Sequence, residues 1–239
     1  MSYFPEIEWF FGAIVIYFLG FALVDFECRN NETYTILTVD RKNYFKKNIV
    51  KAFSLLLISI YGTIIMSNGL MYNKWNNTEI YRLGYFYSAL DFIGLLKVQN
   101  LPTNSKIHHM TTFILSYMNT WIDYNNPSFW IGLPVYCVLS CYACGVNYFL
   151  GMRLLKPLIE MRKLIIYNLV SYVFLLLVNW TYQGYVLMTN VGLNYKWDSI
   201  LYVSLIVFVA NDDIKLVKFL FYHLKKINKN NNLPYNESL

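Results

Sequence analysis

The chain has 239 residues, of which 56% are hydrophobic, 19% aromatic and only 14% charged. A soluble domain carries roughly a quarter charged residues, so this composition excludes an ordinary water-soluble globule and points to an integral membrane protein. The net charge of +6 does not imply a nucleic-acid partner, because the basic residues sit at the ends of apolar segments and in short connections, where they suit anionic lipid head groups.

Seven apolar segments can be read against the roughly 20 residues that a helix needs to cross hydrocarbon. They run from Trp9 to Phe26, Ile49 to Met71, Ile80 to Val98, Ile107 to Trp121, Phe129 to Leu150, Leu164 to Met188, and Trp197 to Val217. The expected fold is therefore an all-α polytopic helix bundle. The acidic start, with Glu6 and Glu8, lacks the basic region of a cleavable signal peptide, so the first segment is expected to remain as a span. The fourth is the shortest and opens on a polar turn. Pro134 lies inside the fifth, where it is expected to kink the helix. The abundant Tyr and Trp, 22 and 6, suit aromatic belts at the two interfaces.

Orientation follows from the basic residues. Arg29, Arg41, Lys42, Lys46, Lys47 and Lys51 fall in or beside the first connection, and Lys97 and Lys106 flank the third. Arg153, Lys156, Arg162 and Lys163 fill the fifth, and Lys215, Lys218, Lys225, Lys226 and Lys229 close the chain. Only Lys74, Arg82 and Lys196 fall on the other side. The positive-inside rule then places the N-terminus outside and the C-terminus in the cytosol.

Cys137, Cys141 and Cys144 fall on one helical face, and Cys28 ends the first span. Their placement argues for packing rather than a disulfide framework or a metal site. Asn76-Asn77-Thr78 is a glycosylation sequon on the expected outer side, whereas the triplets at Asn31 and Asn236 face the cytosol. Residues 227–239 are polar and Asn-rich and are expected to be disordered.

The chemistry gathers around Asp91. An ionisable residue within an apolar span is costly enough to be a functional candidate by default. Asp91 lies six residues before Lys97, about 9 Å along a helix, and His108 and His109 open the next span at the same level. Asn147, Asp212 and Asp213 approach that level from two other spans, so a cavity open to the cytosol is expected. Thr112 and Ser116 continue a hydroxyl stripe from His109. The same stripes also suit close helix packing, and His108 and His109 viewed alone suit an interface.

The run Tyr85-Phe86-Tyr87-Ser88-Ala89-Leu90-Asp91-Phe92, followed by His108-His109-Met110-Thr111-Thr112 and Ser116-Tyr117-Met118-Asn119, resembles the core of the TLC domain family. That family includes the ceramide synthases and the translocating-chain-associated membrane proteins. Asn147 and Arg153 resemble the family's next helix. The resemblance extends over 46–226, leaving 1–45 as a first span with its cytosolic connection. It implies a lipid-handling protein of an endoplasmic reticulum-like endomembrane whose partners are membrane lipids, with self-association left open. In the ceramide synthase branch, His108 or His109 would be the general base or acyl carrier and Asp91 its orienting partner, with acyl-CoA as co-substrate and no bound cofactor. The stretch Val138-Leu139-Ser140-Cys141-Tyr142-Ala143-Cys144-Gly145 lacks the acids of true ceramide synthases, which brings the chain closer to the smaller TLC-domain proteins. Catalytic acyl transfer and a non-catalytic role in lipid binding or membrane lipid composition are therefore both open.

Other classes can be weighed by counting. Membrane di-iron enzymes need several histidine boxes, whereas this chain has three His in all. A fatty-acid elongase needs a further His before the pair, where Asn104-Ser105-Lys106-Ile107 stands instead. A seven-helix receptor lacks an outer Cys pair here, and a transporter lacks detectable internal repeats.

Overall fold

The computed structural model describes residues 6–126, 128–190 and 196–231, without the side chains of 196–198 and 229–231. The described residues are helical with no strand. The helices are α1 (Ile7–Cys28), a single turn α2 (Glu32–Thr35), α3 (Val39–Tyr72), α4 (Asn77–Lys97), α5 (Thr103–Asn119), α6 (Gly132–Cys141), α7 (Cys144–Met152), α8 (Arg162–Thr189) and α9 (Lys196–Asn231). A short 3-10 turn, Phe129–Ile131, leads into α6.

Every expected apolar segment lies on a helix, the fifth on α6 and α7 together. Three helices, α1, α3 and α8, are long and apolar enough to cross a membrane, and the bent pair α6–α7 makes a fourth if it counts as one span. Of the others, α5 has only 17 residues, short of the roughly 20 that hydrocarbon requires. The outward faces of α1 and α8 are apolar and exposed, with Phe11, Val15, Leu19 and Leu23 on one and Val170, Phe174 and Leu177 on the other. In water such faces would be untenable at this extent, so they suit lipid.

Contacts between helices close a ring. α3 packs on α4, α4 on α5, α5 on α9, α9 on α8, and α8 on the α6–α7 pair, which returns to α3. α1 stands outside this ring against α3 and α4, burying Phe10, Ala13, Tyr17 and Phe21 at helical spacing. Tyr17 Oη donates to Phe86 O across that contact at 2.8 Å.

Two expectations are corrected here. Pro134 sits in the first turn of α6, where its missing N–H costs no internal bond. The bend of 42° lies instead between Cys141 and Cys144, so these two cysteines belong to different helices and the three do not share one face; all four are free thiols. The second correction concerns α3, which begins at Val39 rather than near Ile49 because Thr38 caps it, its Oγ1 accepting from Arg41 N. Arg41, Lys42, Lys46, Lys47 and Lys51 are thus helical, not loop, residues. At the other end of the chain α9 runs on to Asn231, so the first part of 227–239 is helix; 232–239, including the triplet at Asn236, lies outside the described residues.

At the end of the ring carrying the α3–α4 and α5–α6 connections, the backbone is clamped. Trp75 N donates to Asn125 Oδ1 and Asn125 Nδ2 returns a bond to Trp75 O, both at 3.0 Å. Asn77 Nδ2 donates to Asp123 Oδ1 at 2.7 Å, while Tyr124 N donates to Asn77 Oδ1 at 3.0 Å. Asn76 caps α4, its Oδ1 accepting from Glu79 N. Nearby, Arg82 joins Glu6 and Glu79 and lies over the Trp9 ring.

Candidate functional site

Asp91 is carried into the ring by the inner face of α4 and is completely buried. A lone carboxylate at such a position would be untenable, and each of its oxygens has a partner. Lys51 from α3 pairs with Oδ1, and Thr112 Oγ1 from α5 lies 2.8 Å from Oδ2. The Thr112 hydroxyl also lies 2.9 Å from His109 O in its own helix, so its single proton serves one acceptor or the other.

His109 completes the arrangement. Its Nδ1 lies 3.0 Å from Asp91 Oδ1, at ion-pair distance but off the line of a good hydrogen bond. Its other nitrogen, Nε2, lies 2.8 Å from Lys47 Nζ. In the order Lys47–His109–Asp91–Lys51 the one carboxylate lies between His109 and Lys51, and Lys47 meets His109 alone. Lys47 and Lys51 are 5% and 7% exposed, one helical turn apart on the inner face of α3. Gly94 makes the approach feasible, since a methyl there would overlap the Lys47 stem.

His108 points elsewhere. Its Nδ1 lies 3.3 Å from Asp212 Oδ2 on α9, and its ring meets that of His109 edge-on with centroids 5.5 Å apart. Asp213, the next residue on α9, is buried and accepts a bond from Tyr172 Oη of α8 at 2.7 Å. Its second oxygen has no hydrogen-bond partner among the described residues.

Lys47, Lys51, His108, His109, Asp212 and Asp213 line a cavity of about 550 Å³ within the ring, with Asn147, Ser140, Asn179 and Arg153 also in its wall. Asn100, Leu101 and Pro102 of the connection between α4 and α5, with Asn104 and Ser105 of the first turn of α5, also line it. The expected residues His108, His109, Asn147, Asp212 and Asp213 thus meet around one space, while Asp91 lies behind its wall against Lys51 and His109, with Thr112 beside it. Ser116 does not join them: it accepts from Ser88 Oγ at 3.0 Å in the α4–α5 seam. With Thr112 it faces a smaller apolar recess of about 50 Å³, which shares Tyr87 and Tyr136 with the main cavity. The third histidine, His223, packs against Phe219 with centroids 4.2 Å apart.

Lys47 and Lys51 were not among the expected site residues. Their basic character fits the positive-inside pattern, which hides them among residues that face lipid head groups. The available signal was spacing, since Lys47, Lys51, Leu55, Ile58 and Gly62 recur at helical intervals and are all buried on one face of α3.

Asp91, His108 and His109 bring ligand atoms within 4.8 Å of one another, a set that could hold a metal ion. To do so the site would have to displace Lys51 from Asp91 Oδ1, the oxygen that also faces His109. Imidazoles and a carboxylate interleaved with two ammonium groups are better furnished for proton transfer and for an anionic or polar ligand than for a further cation. Comparison with protein-family models, curated proteins and solved structures finds no match for this chain.

Proposed function

We propose that the chain is a seven-span membrane protein, with its N-terminus outside and its C-terminus in the cytosol, that takes a lipid into the ring and acts on its polar end at His109. The single observation carrying this reading is the Asp91–His109 pair, buried at the wall of a cavity inside a bundle whose outward faces are apolar. A carboxylate beside Nδ1 favours a proton on that nitrogen by its charge and compensates an imidazolium, leaving Nε2 as the basic atom. The resemblance to TLC-domain proteins supports an endoplasmic reticulum-like membrane and acyl transfer from acyl-CoA to a sphingoid amine.

In that reaction the amine nitrogen bonds to the thioester carbonyl carbon as His109 Nε2 takes its proton. The C–S bond then breaks, and the imidazolium returns the proton to the departing thiolate. Lys47 must first leave Nε2, and its ammonium is then placed to offset charge developing on the carbonyl oxygen. Arg153 and Lys215 at the wall supply charge for phosphate groups of a co-substrate.

A second reading, a non-catalytic lipid-binding or lipid-composition role, is favoured by Lys47 itself, which occupies Nε2 in this structure. The two separate in one experiment. Purified protein given long-chain acyl-CoA and a sphingoid base forms an amide on the first reading, and His109→Ala lowers its rate by on the order of 10²-fold or more. No amide over several chain lengths, with lipid still copurifying, selects the second.

A further inference from the structure

Three residues from three helices form a series in which neither reading of the cavity gives Lys47 a covalent role. Lys47 Nζ lies 2.8 Å from His109 Nε2, and His109 Nδ1 lies 3.0 Å from Asp91 Oδ1. A nucleophile within hydrogen-bond reach of a base, with the base oriented by a third group, is the general signature of covalent catalysis. Here the first member is an amine.

Lys47 differs from its neighbour in its partner. Lys51 has the Asp91 carboxylate, whereas among the described residues no carboxylate lies within ion-pair distance of Lys47. At 2.8 Å an ammonium and an imidazolium would repel each other, so Lys47 and His109 together hold one positive charge and not two. Moving that charge to the imidazole, where Asp91 compensates it, leaves Lys47 as a free amine at the cavity wall. Surface lysines have no such arrangement, because water keeps them protonated.

We propose that Lys47 is a carbonyl-capturing residue that forms an imine with a lipid aldehyde or ketone held in the cavity. The Nζ lone pair attacks the carbonyl carbon and the His109 imidazolium protonates the oxygen, giving a carbinolamine. The imidazole takes the proton that Nζ sheds and passes it to the hydroxyl, which leaves as water as the C=N bond forms; the product is a protonated imine beside a neutral imidazole, with no oxidant or reductant consumed. Asp91 compensates the imidazolium each time it forms. The apolar recess beyond Tyr87 and Tyr136 favours a carbonyl borne on a hydrocarbon chain over a small sugar aldehyde. A stable amide, the product of acylating Lys47 from a thioester, would by contrast block the site after one event.

This proposal rests on reading the cavity as a lipid site, and the test separates the two. Full-length protein in detergent micelles is incubated with an alkynyl long-chain aldehyde and sodium cyanoborohydride, and the reduced adduct is mapped by mass spectrometry. A parallel sample receives a diazirine-bearing hydrocarbon probe without a carbonyl, which reports occupancy alone. The expected result is a reductant-dependent adduct at Lys47 in the wild-type chain, requiring no variant to interpret. It is lost in Lys47→Arg, falls by on the order of 10²-fold in rate in His109→Gln, and persists in Lys97→Arg, an exposed position outside the cavity. Adducts spread evenly over Lys46, Lys97 and Lys106, or an adduct formed without reductant, overturn the proposal. Photolabelling of the cavity with no aldehyde adduct overturns it while sparing the lipid reading, and absence of both removes the two together.

Discussion

Lys51 and Asp91, forty positions apart in the chain, form an ion pair across α3 and α4 in which the carboxylate has no exposure at all and the lysine side chain has 9%. The pair joins the two ring helices at the level of the cavity. Its net contribution to stability need not be large, because both charges give up hydration to enter. What the geometry fixes is the cost of removing one partner alone.

Asp91→Asn leaves the Lys51 ammonium buried without a counter-charge, and Lys51→Met leaves the carboxylate relying on Thr112 and His109. Each single substitution is expected to cost about 3–5 kcal/mol. The double variant should cost clearly less than their sum, as measured by unfolding in detergent. Strict additivity would show that the pair does not act as a unit.

Gly94→Ala tests the path of the Lys47 stem. A methyl at Gly94 meets Lys47 Cε and Nζ, whereas one at Gly12 meets nothing within 4 Å. Gly94→Ala is expected to cost about 1–3 kcal/mol and to change the nitrogen chemical shift of His109 Nε2 as Lys47 is pushed away. Gly12→Ala should do neither; an unchanged His109 spectrum in Gly94→Ala would refute the contact.

Asp123 links acidity to the clamped end. The Asn77 side chain, helped by Asn125 N–H, holds its carboxyl below the usual carboxylate range. A carboxyl whose folded value is depressed stabilises the fold above its unfolded value, near pH 4, and loses that contribution as pH falls through the folded value. Amide exchange at residues 123–126 should therefore accelerate, beyond its intrinsic pH dependence, below about pH 4. In Asp123→Asn that acid sensitivity should disappear; its persistence would assign the effect to another group.

Seven spans with the proposed orientation require the two chain ends to face opposite sides. A reporter fused after Leu239 should read cytosolic and one at Ser2 should not. Matching readings from both would mean an even number of crossings, and α5, the shortest of the long helices, would be the first to reconsider.

Asp91, His108 and His109 were legible because a carboxylate in an apolar run is anomalous whatever surrounds it. The helical class and the helix behind each apolar segment followed from the same hydropathy. Lys47 and Lys51 were not legible as site residues, since a basic residue near a span end has an adequate explanation without any site. The α6–α7 break has no mark in the sequence: Pro134, the residue that commonly bends a helix, falls in the first turn of α6, while Tyr142 and Ala143 at the break are not helix breakers. Ser116 stood correctly on the His109 face, but a face spans more than one neighbour, and its hydroxyl went to Ser88.

The paired Trp75–Asn125 and Asn77–Asp123 bonds have a counterpart at the opposite, cavity end of the ring. There Asp40 of α3 accepts from Gln99 N at 2.9 Å and from Asn100 Nδ2 at 3.2 Å, and Asn43 Nδ2 donates to Lys97 O at 3.1 Å. α4 has 21 residues and so spans about 30 Å between these two sets of ties. It is a strut fastened at both tips, and parting α3 from α4 at the cavity mouth would first have to break the Asp40 and Asn43 bonds.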